Sequence, residues 1–162
     1  MSIQGESYLL ILNSQGSNVL DNTNRNGVLY DVNWSTFLPK KYKKFHCQFV
    51  FKSQTYINAT ASVDQLTNNG FLNLNCGRKN IYDGSQMSNN IGIICPVVLN
   101  PYNSFYSSTN SDNNEFWMDY PTSNQITVNL NTFSGTAMAN MPHYCIYLSL
   151  VGIPEEQIDK SN

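Results

Sequence analysis

Apolar and polar residues alternate along most of this sequence, and this period of two constrains the fold more than any other feature. Residues 43–52 show it most clearly, with every second residue apolar from Phe45 to Phe51. Successive side chains of a strand point to opposite faces, so the pattern predicts a strand with one face in a core and one in water. No window of a dozen residues carries the 3.6-residue stripe of an amphipathic helix. The sequence therefore predicts an all-β chain.

Similar alternation recurs in further segments, at residues 8–12, 28–34, 71–76, 115–120, 126–130 and 143–151. Together with the nearly continuous apolar run at residues 91–99, these segments predict about eight short strands. We expect residues 115–120 and 126–130 to form a hairpin. Long connections at residues 13–26 and 100–114 favour crossing loops over a simple meander. The predicted fold is therefore a two-sheet antiparallel sandwich with jelly-roll topology.

The composition is that of a polar but nearly uncharged protein. Only 12% of the 162 residues are charged, whereas 59 are Asn, Ser, Thr or Gln. The formal net charge of -2 gives no field that would hold a phosphate backbone, so nucleic acid is not an expected partner. A hydrophobic content of 41% is enough for one packed core. We therefore expect one domain over residues 1–162, with a frayed tail from about residue 154.

Several classes of protein are disfavoured by motifs that the sequence lacks. The longest apolar run, residues 91–99, is too short to cross a bilayer, so membrane insertion is not expected. No basic and apolar leader precedes the first strand, which predicts no secretory signal. The four cysteines are widely spaced within strand-like segments, and we expect free, buried thiols. No phosphate-binding loop, dinucleotide fingerprint or zinc-protease motif occurs, so no cofactor is expected.

Candidate catalytic and metal-ligating residues are few. Asp112, Glu115 and Asp119 form one compact acidic group; its spacing matches no EF-hand and indicates an exposed turn, with an irregular calcium site as the alternative. Glu115 and Asp119 would lie about 13 Å apart on one strand face, too far for a glycosidase pair. His46 and Cys47 are adjacent and should face opposite ways, which argues against a shared metal site. The sequence therefore predicts no enzyme and no metal.

Four of the nine basic residues fall in one short segment: Lys40, Lys41, Lys43 and Lys44. One interpretation is contact with an acidic partner surface or with packaged nucleic acid. The alternative is a solvated loop that keeps the next strand from pairing edge to edge with other molecules. We favour the solvated loop, because one short patch cannot neutralise many phosphates.

Four segments together resemble a known family: residues 30–34, 43–52, 120–128 and 141–144. The chain resembles the single jelly-roll capsid proteins, of penton or minor capsid type, of large eukaryotic DNA viruses and of virophage and polinton-like viruses. The resemblance implies a virion structural protein assembled in the host cytoplasm or nucleus. It also implies a homo-oligomer with other capsid proteins as partners. No functional residue is carried over from the family.

The surface chemistry is compatible with two kinds of binding. A surface with few charges and many amides suits permanent assembly, since little charge is desolvated. Exposed aromatic residues could instead stack on sugar rings, and the candidates for such stacking or for an interface are Tyr102, Phe105, Tyr106 and Trp117. We therefore expect a non-enzymatic virion protein that acts by self-association, with a carbohydrate- or receptor-binding head domain as the alternative.

Overall fold

A computed structural model of the chain describes residues 5–57, 68–100, 103–108, 114–139 and 141–155. These residues contain thirteen strands: β1 (Ser7–Asn13), β2 (Val19–Asn24), β3 (Gly27–Asp31), β4 (Lys44–Ser53), β5 (Tyr56–Ile57), β6 (Gly70–Asn75), β7 (Tyr82–Asp83), β8 (Gln86–Met87), β9 (Asn90–Asn100), β10 (Asn103–Ser108), β11 (Glu115–Asp119), β12 (Gln125–Thr132) and β13 (Tyr144–Gly152). A short 3-10 turn covers Trp34–Thr36. The prediction of an all-β chain is confirmed. Most of the polar tail, residues 156–162, lies outside the described residues.

Eleven of the strands form one large antiparallel sheet that curls around the core. Its order is β1-β13-β4-β10-β9-β6-β12-β3-β2, with β11 also paired to β4 and β5 to β10. The remaining strands, β7 and β8, form a small hairpin. Gly84, with a φ of +62°, lies in the turn of this hairpin, where a left-handed conformation suits glycine.

The alternation predicted for each strand segment produces the core. On β4, Phe45, Cys47, Phe49 and Phe51 are buried, whereas Gln48 and Lys52 are exposed. The neighbouring strands repeat this pattern, and their inward side chains join one cluster that includes Leu72, Leu74, Ile126, Val128, Leu130, Ile146, Leu148 and Leu150. Each of these strands therefore contributes one apolar face to a shared hydrophobic core.

Residues from distant strands meet across this core. A Cβ atom at Gly92 of β9 would lie only 2.5 Å from Cζ of Phe49, so the Phe49 ring packs directly on the β9 backbone. Tyr30 of β3 and Tyr144 of β13 also approach each other. Burial raises the pKa of Tyr30 to about 12 and also raises the pKa of Tyr144. The two hydroxyl groups are close enough that each affects the pKa of the other. Neither hydroxyl makes a hydrogen bond of standard geometry.

The predicted number of about eight strands is too low. Two of the missed strands, β2 and β10, lie in segments expected to be loops. On β10 the inward residues include Ser104 and Ser108, which carry no hydrophobic signal. Their neighbours are held by side chains: Phe51 N–H donates to Ser108 Oγ at 3.0 Å and Tyr106 N–H donates to Ser53 Oγ at 2.7 Å. Hydroxyl groups therefore replace apolar contacts where β10 meets β4.

The predicted hairpin between residues 115–120 and 126–130 is wrong. β11 pairs with β4, whereas β12 pairs with β3 and β6. Pro121 is buried between the two strands and breaks the extended segment, and the chain then passes to a different part of the sheet. Both segments present apolar residues to the same core, which is why their sequence patterns look like those of paired strands.

The contact between Phe49 and Gly92 gives a test of the core. Replacing Gly92 by Ala should lower the free energy of unfolding by about 1–3 kcal/mol, because the added methyl group collides with a buried aromatic ring. Gly27→Ala is the matched control, since its Cβ would approach only the end of the Asn129 side chain, at 3.2 Å. Urea denaturation of both variants measures the difference. Equal stabilities would contradict the packing described for Phe49.

Candidate functional site

The outer surface of β1, β13 and β4 carries four exposed apolar side chains. Because successive residues alternate, the strands that bury one apolar set present the other set to solvent. Leu9 is 59% exposed, Ile11 48%, Val50 57% and Tyr147 47%. We call these four residues the apolar face. Single exposed apolar residues are ordinary, but a contiguous group indicates a contact surface.

The strand register makes the apolar face continuous. Ile11 of β1 lies opposite Tyr147 of β13, and Tyr147 lies opposite Val50 of β4. Paired strands are about 4.8 Å apart, so the three side chains form one row about 10 Å wide. Leu9 extends the surface on β1, next to Ser149. Tyr147 is therefore at the centre of an apolar patch.

Polar and aromatic groups border the apolar face near the start of β4. His46 Nε2 lies 3.4 Å from Glu115 Oε2, and Gln48 Nε2 donates a hydrogen bond to Glu115 Oε1. The Trp117 ring meets the His46 ring edge to face, with centroids 5.2 Å apart. An apolar centre with a polar rim is the usual anatomy of a protein–protein interface.

The edge of β1 adds a second feature to this surface. Among the described residues, β1 pairs only with β13, which leaves its other edge unpaired. The strand has no charged residue and no proline. Leu9 and Ile11 lie on its exposed face. Natural edge strands usually carry charged residues or proline, which prevent pairing with other molecules. As far as the described residues extend, this edge is available for pairing with another strand.

The predicted lysine cluster lies in the loop before β4 and at the first residue of that strand, Lys44. Lys40, Lys41, Lys43 and Lys44 are all exposed, and they surround the buried Tyr42. With Asp119 and Tyr120, three of these lysines line a shallow cleft of 470 Å³. Acidic residues offset part of the charge, since Lys41 Nζ lies 3.6 Å from Glu6 Oε1 and Lys44 is opposite Asp119. The cluster is an exposed and partly neutralised loop.

A different lysine is buried. Lys79 Nζ donates to Cys76 O at 2.7 Å and to Asn89 Oδ1 at 3.2 Å. Burial lowers the pKa of Lys79 and raises the pKa of the nearby Cys76 thiol to about 11. The ammonium group therefore links the segment after β6 to the segment before β9. Nothing in the sequence pattern distinguished Lys79 from the exposed lysines.

These two environments predict opposite effects of lysine substitution. Replacing Lys40, Lys41, Lys43 and Lys44 together by Gln should change the free energy of unfolding by no more than about 0.5 kcal/mol, because exposed ion pairs contribute little. Lys79→Gln should lower it by about 1.5–3 kcal/mol, since buried acceptors lose a charged donor. Urea denaturation measures both. A large loss in the fourfold variant would contradict the description of a solvated loop.

The predicted aromatic candidates do not form one site. Tyr102 lies outside the described residues. Tyr106 was expected to be available for stacking, but it is 1% exposed and its hydroxyl donates to Asn68 O at 2.9 Å, so it belongs to the core. Phe105 lies near Lys52 Nζ, 5.3 Å from the ring centroid, whereas Trp117 lies opposite His46. His46 and Lys52 are about 20 Å apart along β4, too far for one sugar ring.

The predicted acidic group is also divided. Asp112 lies outside the described residues. Glu115 interacts with His46 and Gln48 at one end of β11, and Asp119 lies opposite Lys44 at the other end. Among the residues that the structure describes, no three His, Cys, Asp or Glu side chains are grouped to hold a metal ion.

The four cysteines are free, but only half of the burial prediction is confirmed. Cys47 and Cys76 are buried, and burial raises the pKa of both thiols. Cys95 and Cys145 are partly exposed because they lie on outward positions of β9 and β13, opposite Ser107 and Lys52. His46 is on the outer face and Cys47 in the core, as predicted for neighbours on a strand.

A serine–histidine contact was missed by the sequence analysis because its members are 129 positions apart. Ser14 Oγ lies 2.9 Å from His143 Nδ1 and accepts a hydrogen bond from Tyr144 N–H at 3.0 Å. Ser14 is completely buried, so a substrate has no access to its hydroxyl. The contact joins the end of β1 to the start of β13. Burial, assisted by the charge of Arg25, lowers the pKa of His143.

The lowered pKa of His143 predicts a pH dependence of stability. An unfolded histidine has a pKa of about 6.5. Below that pH the unfolded chain binds a proton that the folded protein resists, so the free energy of unfolding should fall between pH 7.5 and 5.5. His143→Gln should flatten this dependence. Urea midpoints across the range measure it, and an unchanged slope in the variant would contradict the assignment. Glu6 and Asp21, whose pKa values are lowered by hydrogen bonds from Tyr8 and Thr23, titrate below this range.

Comparison with known proteins identifies no family for this chain. No family model matches the chain, and no curated protein matches it either. The resemblance to capsid proteins stays a prediction. Within the described part of the chain, no helix has the length and hydropathy needed to cross a bilayer.

Proposed function

We propose that this protein is a non-enzymatic structural subunit of a virion, of penton or minor capsid type, that acts by self-association and by contact with other capsid subunits. The observation that carries the proposal is the apolar face of Leu9, Ile11, Val50 and Tyr147, which lies beside the edge of β1 that no strand of the described residues covers. Covering one half-exposed apolar side chain contributes about 1 kcal/mol. The four together favour a stable contact with another protein.

The order of the strands supports a jelly-roll architecture. Five strands are set aside: the edge strand β2, the two-residue strands β5, β7 and β8, and β10, which joins β4 to β9. Eight remain: β1, β3, β4, β6, β9, β11, β12 and β13. β1, β13, β4 and β11 are consecutive neighbours, as are β3, β12, β6 and β9. Counted along the chain, the first group has the order one, eight, three, six, and the second has the order two, seven, four, five. This order is the one expected for the two sheets of an eight-stranded jelly roll, and the Phe49–Gly92 contact between the two groups supports such packing.

The chemistry of the apolar face favours a second copy of the chain as its partner. β1 can pair with β1 of another molecule about a two-fold axis, because an antiparallel strand pair is self-complementary. Such pairing would place Leu9 and Ile11 of both copies side by side and join two apolar faces. No charged side chain lies in the central row of Ile11, Tyr147 and Val50, so little charge would be desolvated.

Size-exclusion chromatography with light scattering tests the proposal. The unmodified protein should form a dimer or a larger assembly at micromolar concentrations. Tyr147→Ser should weaken that association at least thirtyfold, a loss of about 2 kcal/mol, because a central tyrosine is a typical energetic hot spot. Ile11→Lys should act similarly by placing a charge at the strand edge.

The control is Leu20→Lys on β2, where a leucine of similar exposure, 53%, lies outside the apolar face. It should leave the association unchanged. Circular dichroism checks that all three variants keep their strand content. An unmodified protein that stays monomeric at every concentration would refute self-association, and so would an assembly that is insensitive to both Tyr147→Ser and Ile11→Lys.

A further inference from the structure

A second surface feature is a cleft of 460 Å³ outside the apolar face. Its floor is the outer face of β6 and β12, where Phe71 and Asn73 lie beside Asn131. The β7–β8 hairpin forms one wall with Tyr82, and the segment after β12 forms the other with Phe133. The volume is within the range of small-molecule sites, which is about 300–1,000 Å³.

Aromatic rings at this cleft are held open to solvent. Phe133 is 54% exposed and stacks on Phe71, with ring centroids 4.5 Å apart and an angle of 25° between the planes. Tyr82 is 56% exposed on the opposite wall. The Tyr82 strand is short and held by its pairing with Met87 and by the bond from Ser88 N–H to Ile81 O at 2.9 Å. Neither ring is needed to fill the core, so both are available to a ligand.

Side-chain amides line the same cleft as these rings. Asn73 Nδ2 donates to Asn129 O at 3.3 Å, and Asn90 Oδ1 accepts from Gly92 N–H at 3.1 Å. Each of these bonds uses only part of the hydrogen-bonding capacity of the side-chain amide, because an asparagine side chain has two donor hydrogens and an acceptor oxygen. The bonds fix the orientation of Asn73 and Asn90. The cleft therefore offers positioned donors and acceptors next to aromatic faces.

The charge of the cleft narrows the class of ligand. Asp83 is the single residue with a formal charge among the described residues that line it, and no Lys, Arg or His is present. An acidic side chain without a cationic one disfavours phosphate, sulfate and carboxylate ligands. One carboxylate is too few for a dedicated divalent-cation site.

We propose that this cleft binds a neutral oligosaccharide. Apolar sugar faces would stack on Phe133 and Tyr82, and sugar hydroxyl groups would bond to Asn73, Asn90 and Asn131. The cleft shares no residue with the apolar face, so the proposal does not depend on self-association. It also differs from the aromatic set predicted from the sequence, since none of those four residues lines it.

A glycan microarray that carries neutral, sialylated and sulfated glycans tests the proposal, followed by titration calorimetry with the neutral glycan that binds most strongly. The unmodified protein should bind neutral glycans. Phe133→Ala and Tyr82→Ala should each weaken binding about tenfold or more, because each removes one stacking surface. Both side chains are exposed, so both variants should keep their fold, and the loss of stacking on Phe71 should lower the thermal midpoint of Phe133→Ala by only a few degrees.

Trp117→Ala is the matched control, since Trp117 is an exposed aromatic residue outside the cleft. It should keep full glycan binding. Three results would overturn the proposal: no binding to any neutral glycan, binding restricted to sialylated or sulfated glycans, or neutral-glycan binding that Trp117→Ala removes and Phe133→Ala does not. The assembly measured by light scattering is independent of each of these results.

Discussion

The register of β4 against its neighbours determines both surfaces of the main sheet. Cross-strand pairing with β13 and β11 holds Phe45, Phe49 and Phe51 in the core and leaves His46, Gln48 and Val50 outside. A shift of one residue would exchange the two sets, because strand side chains alternate with a period of two. The apolar core strongly favours one register. The exposed row through Val50 and Tyr147 is a consequence of that same register.

Serine side chains mark the place where the sheet changes direction. β4 and β10 share one backbone pair in register, Ser107 with Lys52, and the Ser53 and Ser108 hydroxyls satisfy neighbouring backbone N–H groups. A side-chain acceptor can satisfy a buried N–H without a continuous ladder. The main-chain pairing between β4 and β10 is therefore short, and Phe49 of β4 packs on Gly92 of β9 across the core.

The sequence pattern predicted what depends on local alternation and missed what depends on pairing. Segments with inward apolar residues were located correctly, and the outward positions of Gln48, Lys52 and Trp117 followed from them. β10 was missed, and Tyr106 with it was assigned to the surface, because serines occupy two of its three inward positions. The row of Ile11, Tyr147 and Val50 could not be predicted, since no local signal specifies which strands become neighbours. The same holds for the cleft, which joins β6 to residues beyond β12.

Both outer surfaces depend on the low content of charged residues in this chain. Because the chain has few charged residues, many outward strand positions hold neutral residues. The chemistry of these neutral residues differs from one set of strands to another. On β1, β13 and β4 some of these positions hold Leu9, Ile11, Tyr147 and Val50, which gain by excluding water. On β6 and β12 they hold Asn with flanking aromatic rings, which can exchange water for hydroxyl groups at little cost. Because different strands carry the two chemistries, covering the apolar face with a second copy would leave the cleft open to a ligand.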